Sequence, residues 1–243
     1  MDNIKVISLQ RTPERLARFA ELNGHLDYTV FPAIDGSKLT EAAILQNVAS
    51  PWPPYTPGAI GCALSHRTLW EYAYSLGEPV TVLEDDALVR FDFDTEASRV
   101  LAAAPADWDI VVWGWNFDMG IGLNMLPQVA AATLVIEPGR FVANAERFQS
   151  LNTRAQLYPL AVCAGSVAYT VSPAGAAKLR ASCFPLTNFA LRFPTATHAS
   201  RATFWNTGID VAMSRAYSHI QAFAAVAPLV GTLHDIRAST TRD

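Results

Sequence analysis

The stretch that most constrains this chain is Val80-Thr-Val-Leu-Glu-Asp-Asp86, a short apolar run that ends in three consecutive carboxylates. β-Branched residues entering a turn predict a buried strand, and the acids then stand at its carboxyl end, where open α/β sheets place their ligands. Three adjacent negative charges repel one another, and a bound cation or a set of hydrogen-bond donors relieves that repulsion. A divalent metal carrying a phosphorylated substrate suits such a corner. A solvated acidic turn is the plain alternative, and the triplet alone leaves both open.

Around this strand, extended and helical patterns alternate. Residues 4–9 predict a first strand, and Thr12-Pro13-Glu14 then offers an N-cap residue followed by proline at the first helical position. A helix is predicted to about Asn23, with Leu16, Phe19 and Ala20 on one face and Gly24 as its stop. Residues 28–31 predict a second strand. Four prolines exclude residues 48–57 from any regular element and predict an ordered loop beside the site. Helices are predicted over 58–76, 95–104, 173–181 (capped by Ser172) and 208–217, and strands over 79–83, 108–113 and 167–171. Glycine, asparagine and proline interrupt 114–157 without a clean period, so hairpins and loops are expected there. Strands alternating with helices imply an α/β fold with a mostly parallel sheet covered on both faces.

Composition narrows the function. At 243 residues and 51% hydrophobic content the chain can bury a real core, and no repeat or composition shift marks a boundary. Only 16% of residues are charged and the formal net charge is -4, which excludes a broad nucleic-acid-binding surface. Cys62, Cys163 and Cys183 are odd in number and widely spaced, which argues against a disulfide framework and fits a reducing compartment. The opening residues lack a basic leader and a long apolar core, and no stretch reaches about 18 uninterrupted apolar residues. The expectation is a soluble cytoplasmic protein with at most peripheral association at the inner face of a membrane, its polar C-terminus too poor in basic residues to anchor it.

Two further segments carry chemistry. Ser8-Leu-Gln-Arg-Thr-Pro-Glu-Arg15 leaves a strand and enters a helix with two arginines, which suits an anionic or nucleotide ligand, although first-turn arginines are commonly just solvated. Pro57-Gly-Ala-Ile-Gly-Cys-Ala-Leu-Ser-His66 is a helix entry whose small residues permit close approach by a backbone or a ligand. Tight packing around a hydrogen-bonded core histidine is the structural alternative. A Cys62–His66 dyad also fits the i, i+4 spacing, but cysteine in an apolar helix is more often an inert small hydrophobe.

Taken together, Val6-Ile-Ser-Leu-Gln-Arg11 with Pro13-Glu-Arg-Leu16, Phe31-Pro-Ala-Ile-Asp-Gly36, Gly58-Ala-Ile-Gly-Cys-Ala-Leu-Ser-His66 and Val82-Leu-Glu-Asp-Asp86 resemble, in order and spacing, the family 25 glycosyltransferases, which include lipooligosaccharide and collagen galactosyltransferases. The strong matches cover about the first 115 residues, and Gly165–Leu179 and Ile209-Asp210 resemble later family segments. The chain departs from the family at Ser8, where asparagine is usual, and at Gln10, often charged there. The resemblance implies a GT-A-like fold and one glycosyltransferase domain over 1–243, with a donor-binding half (1–115) and an acceptor-side half (116–243). It also implies an inverting, metal-dependent transfer of a sugar, galactose or glucose, from a UDP-linked donor to a glycan or glycolipid acceptor such as lipooligosaccharide.

The same resemblance assigns roles. Ser8, Leu9, Arg11, Arg15, Ala33, Asp35, Gly36, Gly61, Ser65, His66, Glu84 and Asp85 are expected around the donor nucleotide, Asp86 and His234 on Mn²⁺ or Mg²⁺, and Asp210 as the base that deprotonates the acceptor hydroxyl. For Asp210 a helix-capping role is the alternative, and for His234 an exposed histidine bonded to Asp235. Trp52, Tyr55, Trp113, Trp115 and Trp205 are candidates for stacking on sugar rings, Trp52 and Tyr55 foremost. A non-catalytic carbohydrate-binding or scaffold protein is the competing reading. A metal-dependent phosphohydrolase is a weaker one, because the five histidines are scattered with no HxH or HxxxH pair.

Overall fold

A computed structural model of the chain describes residues 1, 3–50, 52–192 and 203–233. The first half contains β1 (Ile4–Ser8), α1 (Pro13–Leu22), β2 (Thr29–Pro32), α2 (Glu41–Leu45), α3 (Pro57–Leu76), β3 (Val80–Glu84), β4 (Ala87–Val89), α4 (Phe93–Ala102) and β5 (Ile110–Gly114). The second adds β6 (Ile121–Leu126), β7 (Ala130–Leu134), α5 (Pro138–Val142), α6 (Ala145–Gln149), β8 (Gln156–Cys163) and β9 (Ala168–Val171). Then come α7 (Pro173–Cys183), β10 (Ala190–Arg192), β11 (Thr203–Trp205), α8 (Ile209–Ala216), β12 (Ala222–Val226) and β13 (Val230–Thr232).

Among the described residues nine strands form one sheet in the order β2-β1-β3-β9-β5-β12-β8-β6-β7. Strands β2, β1 and β3 run parallel, as the β-α-β opening requires. From β9 onward the sheet is mixed: β9 enters antiparallel between β3 and β5, β12 is parallel to β5, and β8, β6 and β7 continue antiparallel. The α/β class holds and the arrangement is compatible with a GT-A-like fold. Parallel pairing, expected for most of the sheet, is confined to β2-β1-β3 and to β5 with β12, whereas β6 and β7 form a hairpin and the segment carrying α5 and α6 leads back to β8.

Period-two alternation sorts the core into two layers. Val80, Val82, Ile110, Val112, Tyr169 and Val171 face the cluster formed with α3, α7 and α8. Leu83, Val111, Trp113, Ile4 and Val6 face the opposite cluster with Phe19 of α1 and Phe93, Ala97 and Val100 of α4. Helix α3 is buried along most of its length, capped at its start by Thr56 accepting from the Ala59 N–H and stopped by Gly77 at φ 74°. Only glycine adopts that left-handed geometry without strain, so the helix ends there.

Local details differ from the sequence reading. Thr12 makes no side-chain cap on α1, its hydroxyl donating instead to the Leu9 carbonyl, and Ala20 is exposed. Helix α1 stops at Asn23 rather than Gly24. The buried Asn23 amide donates to the Phe19 and Ala87 carbonyls and accepts from the Val89 N–H, tying the helix end to β4. Strands β4 and β13 pair antiparallel, with Thr232 opposite Ala87. No helix among the described residues is long and apolar enough to cross a membrane.

Candidate active site

Alternation along β3 decides where the three acids go. Glu84 shares the parity of Val80 and Val82 and turns toward α3, while Asp85 shares that of Thr81 and Leu83 and turns toward α1. Asp86 follows in the turn before β4. The triplet is therefore split among three environments.

Asp85 is saturated by the chain itself. Ser8, at the end of β1, donates to Oδ2 at 2.7 Å, and Arg15 grips Oδ1 with Nε at 2.7 Å and a terminal nitrogen at 2.5 Å. Arg15 also reaches Asp86 Oδ2 at 3.8 Å. Two of the residues expected around a nucleotide thus brace the acidic corner from the α1 side.

Glu84 meets α3 and β9. Ser166 donates to Glu84 Oε1 at 2.5 Å, and His66 Nε2 lies 3.6 Å from the same oxygen. His66 Nδ1 contacts the Tyr169 hydroxyl at 2.8 Å, and the Trp70 indole N–H donates to that hydroxyl at 2.9 Å. The phenol oxygen thus accepts from Trp70 and bridges to His66 Nδ1, and Nε2 is the ring nitrogen that faces Glu84. Burial pushes the Glu84 carboxyl up, but the His66 and Ser166 hydrogen bonds and the Arg15 charge prevail and hold it below its usual range.

Asp86 is the strained member. Its Oδ1 is buried without a hydrogen-bond partner among the described residues. Burial, followed by the charge of Glu84 and then Asp85, lifts its carboxyl to about 7 against the opposing pull of Arg15. A divalent cation with oxygen ligands fits that unmatched oxygen. His234, expected as a second metal ligand, lies outside the described residues.

The loop after β2 and the start of α3 interlock. A Cβ on Gly61 would meet the Ile34 carbonyl and stand 2.6 Å from Gly36 N, and one on Gly36 would collide with the Pro57 carbonyl. Ser65 accepts from the Ile34 N–H at 2.8 Å and donates to the Gly61 carbonyl at 2.8 Å. Ala33 donates its N–H to the Ser8 carbonyl, and Asp35 accepts from Ser37 and lies 3.5 Å from Arg11. The small residues therefore serve the approach of backbone to backbone, which brings residues 33–36 to the edge of the site. Leu9 stands at the turn into α1, its carbonyl accepting from the Thr12 N–H.

Asp210 is the second residue of α8, not its cap, and accepts the Gly165 N–H at 2.7 Å from the loop before β9. Burial raises its carboxyl above the ordinary range, with the backbone N–H groups of Gly165 and Val211 opposing and the Glu84 charge assisting. The field of Asp210 reaches Tyr55 and Cys62, so the proline-rich loop, α3, β3 and α8 converge on one region. Tyr55 is buried, donating to Asn206 Oδ1 at 2.9 Å, whereas Trp52 is half exposed. Trp113 and Trp115 are fully buried and Trp205 is exposed.

Residues 1–188 match the family model described as glycosyltransferase family 25 (LPS biosynthesis protein). The chain belongs to glycosyltransferase family 25. Among curated relatives, a "Glycosyltransferase 25 family member" of Aedes aegypti is 36% identical over 132 residues, 47% of this chain and 21% of the relative. One of Anopheles gambiae is 37% identical over 131 residues, 47% of this chain and 22% of the relative. The mouse "Inactive glycosyltransferase 25 family member 3" is 29% identical over 196 residues, 74% of this chain and 29% of the relative. The matches thus span between about a fifth and three-tenths of the relatives' own length.

Within this family 25 chain, sequence reasoning missed Ser166, Tyr169 and Trp70, which orient His66 and Glu84, and Asn23, which fixes β4 just past Asp86. Ser166 had a local signal, a polar residue between Gly165 and an apolar strand. The Trp70–Tyr169 contact had none, because it joins residues 99 apart.

Proposed function

We propose that this chain is an inverting, metal-dependent glycosyltransferase that moves galactose or glucose from a UDP-sugar to a hydroxyl of a glycan or glycolipid acceptor such as lipooligosaccharide. Family membership supports the reaction class. The single observation that carries the metal-dependent reading is Asp86, whose buried Oδ1 has no partner among the described residues and whose carboxyl is pushed up to about 7.

Asp86 would hold Mn²⁺ or Mg²⁺ through oxygen, with phosphate oxygens completing the set. Such an ion, when bound, neutralises charge that builds on the departing diphosphate. Arg15, held against Asp85 and near Asp86, keeps the acidic corner from repelling an anionic donor, and Ser8 fixes Asp85 in place. The loop at residues 33–36 and the start of α3 would wall the nucleotide subsite. Asp210, raised by burial and steadied by Gly165, is suited to take the proton from the attacking hydroxyl.

Calorimetric titration of the chain with UDP, with and without Mn²⁺, tests this reading, followed by a screen of UDP-sugars for release of free UDP. Manganese-dependent binding that Asp86→Asn abolishes, with turnover of one UDP-hexose, is the expected result. Metal-independent binding, or an Asp86→Asn protein that binds and turns over unchanged, would overturn it. Some relatives are named inactive, and donor binding without turnover against any acceptor would favour the non-catalytic carbohydrate-binding reading instead.

A further inference from the structure

The acidic corner has a neighbour of different chemistry. Cys62 and His66 stand four residues apart on α3, so their side chains share a face, and Glu84 meets them from the end of β3. One ligand atom from each, a sulfur, an imidazole nitrogen and a carboxylate oxygen, lies within 4.8 Å of the other two. Metal–ligand bonds of about 2.0 to 2.3 Å place tetrahedral ligands roughly 3.3 to 3.8 Å apart, so rotation about the Cys62 and Glu84 side-chain bonds closes the set. His66 Nε2 and Glu84 Oε1 already stand at 3.6 Å.

We propose that Cys62, His66 and Glu84 form a thiolate-containing cation site that takes Zn²⁺ or a comparably soft divalent ion, distinct from the all-oxygen position at Asp86. Three observations converge on it. The ligand set is of mixed sulfur, nitrogen and oxygen, which favours zinc over magnesium or manganese. The imidazole is fully buried and oriented through Nδ1 by the Tyr169 hydroxyl, itself held by Trp70, the outer support that metal-binding histidines commonly have. Cys62 and Glu84 are only partly buried, so an ion has a way in and a fourth position stays open to water or substrate.

Loading exchanges waters on the ion for one sulfur, one nitrogen and one oxygen ligand, sends the thiol proton to solvent, and changes no oxidation state. Nε2 is the nitrogen that binds the ion when the imidazole carries its proton on Nδ1, where the phenol oxygen of Tyr169 accepts it. Glu84 leaves Ser166 to do so.

Cobalt titration of the chelator-treated full chain tests the site without any reliance on transferase activity. One equivalent of Co²⁺ should produce a thiolate-to-cobalt charge-transfer band in the near ultraviolet that Zn²⁺ displaces, and Zn²⁺ should slow alkylation of Cys62 followed by peptide mass spectrometry. Cys62→Ala should lose the band while keeping its circular dichroism, Glu84→Gln should weaken binding, and Asp86→Asn should retain it. Absence of the band would overturn the proposal, as would its persistence in Cys62→Ala or its loss in Asp86→Asn. Failure of UDP to bind, by contrast, would strike the transferase reading and leave this one standing.

Discussion

Asp86 carries a cost above neutral pH that a bound cation would remove. Its carboxyl sits at about 7 in the folded chain against 3.8 as the ordinary value, so the ionised form is disfavoured by folding. A carboxyl raised in this way subtracts stability progressively as pH rises from about 4 to about 7, and by a constant amount above that. Discounted for screening at its partly exposed side chain, the penalty is on the order of 1–2 kcal/mol. In chelator at pH 8, Asp86→Asn should therefore be more stable than the parent by that amount in urea denaturation, with the gap closing near pH 4. Divalent-ion binding should tighten between pH 6 and pH 8, because the ion competes with a proton, and should release protons measurable by calorimetry in buffers of different ionisation enthalpy. Asp210→Asn should keep the Gly165 hydrogen bond through its amide oxygen and retain its melting temperature, yet lose roughly 10²-fold or more in turnover, because an amide cannot take the acceptor's proton. Loss of less than a few-fold would return Asp210 to a purely structural role.

Elements in this fold are held where the site needs them by close backbone approach. Gly61→Ala puts a methyl group against the Ile34 carbonyl and 2.6 Å from Gly36 N, so the loop must yield, and a loss of about 1–3 kcal/mol is expected together with weaker nucleotide binding. Ser172→Ala removes the acceptor for the Gly175 N–H at the start of α7, far from the acids, and should cost about 1 kcal/mol with kcat unchanged. Thermal denaturation and steady-state kinetics separate the two. Both positions were readable from local pattern, one as a run of small residues and the other as a serine before proline. Strand β3 was readable for the same reason, its β-branched run ending in charge. Strand β12, Ala222–Val226, was not, because its alanines carry no strand preference and only its place between β5 and β8 makes it extended. Strands β4 and β13 have three residues each and exist by pairing with one another, which no short window reveals. The glycine motif was legible as close approach, but whether backbone or ligand made that approach required the Ile34 and Gly36 positions.

At the scale of the molecule, stability and function are concentrated in the middle of the sheet. Strand β9 is flanked on both sides by paired strands and buried throughout, and it carries Tyr169 on one face and Thr170 on the other. Thr170 joins Thr81 at 2.8 Å and accepts from the Trp113 indole at 2.7 Å. Amide hydrogen exchange should therefore be slowest in β9, β3 and β5 and fastest at the edges, β2 and β7, with the β6–β7 hairpin opening early around the exposed Leu126 and Val129. Uniform protection across all nine strands would contradict that gradient.

The alternation that sends Glu84 to α3 and Asp85 to α1 has a genetic corollary. One extra codon placed in β3 ahead of Glu84 would shift the glutamate into the place of Asp85 beside Ser8 and Arg15, push Asp85 into the turn, and put Leu83 opposite Ser166 and His66. Length in this segment is thus under tighter restraint than identity. An apolar swap at Val80 or Val82 is a mild lesion, whereas a single inserted or deleted residue scrambles the whole acidic corner.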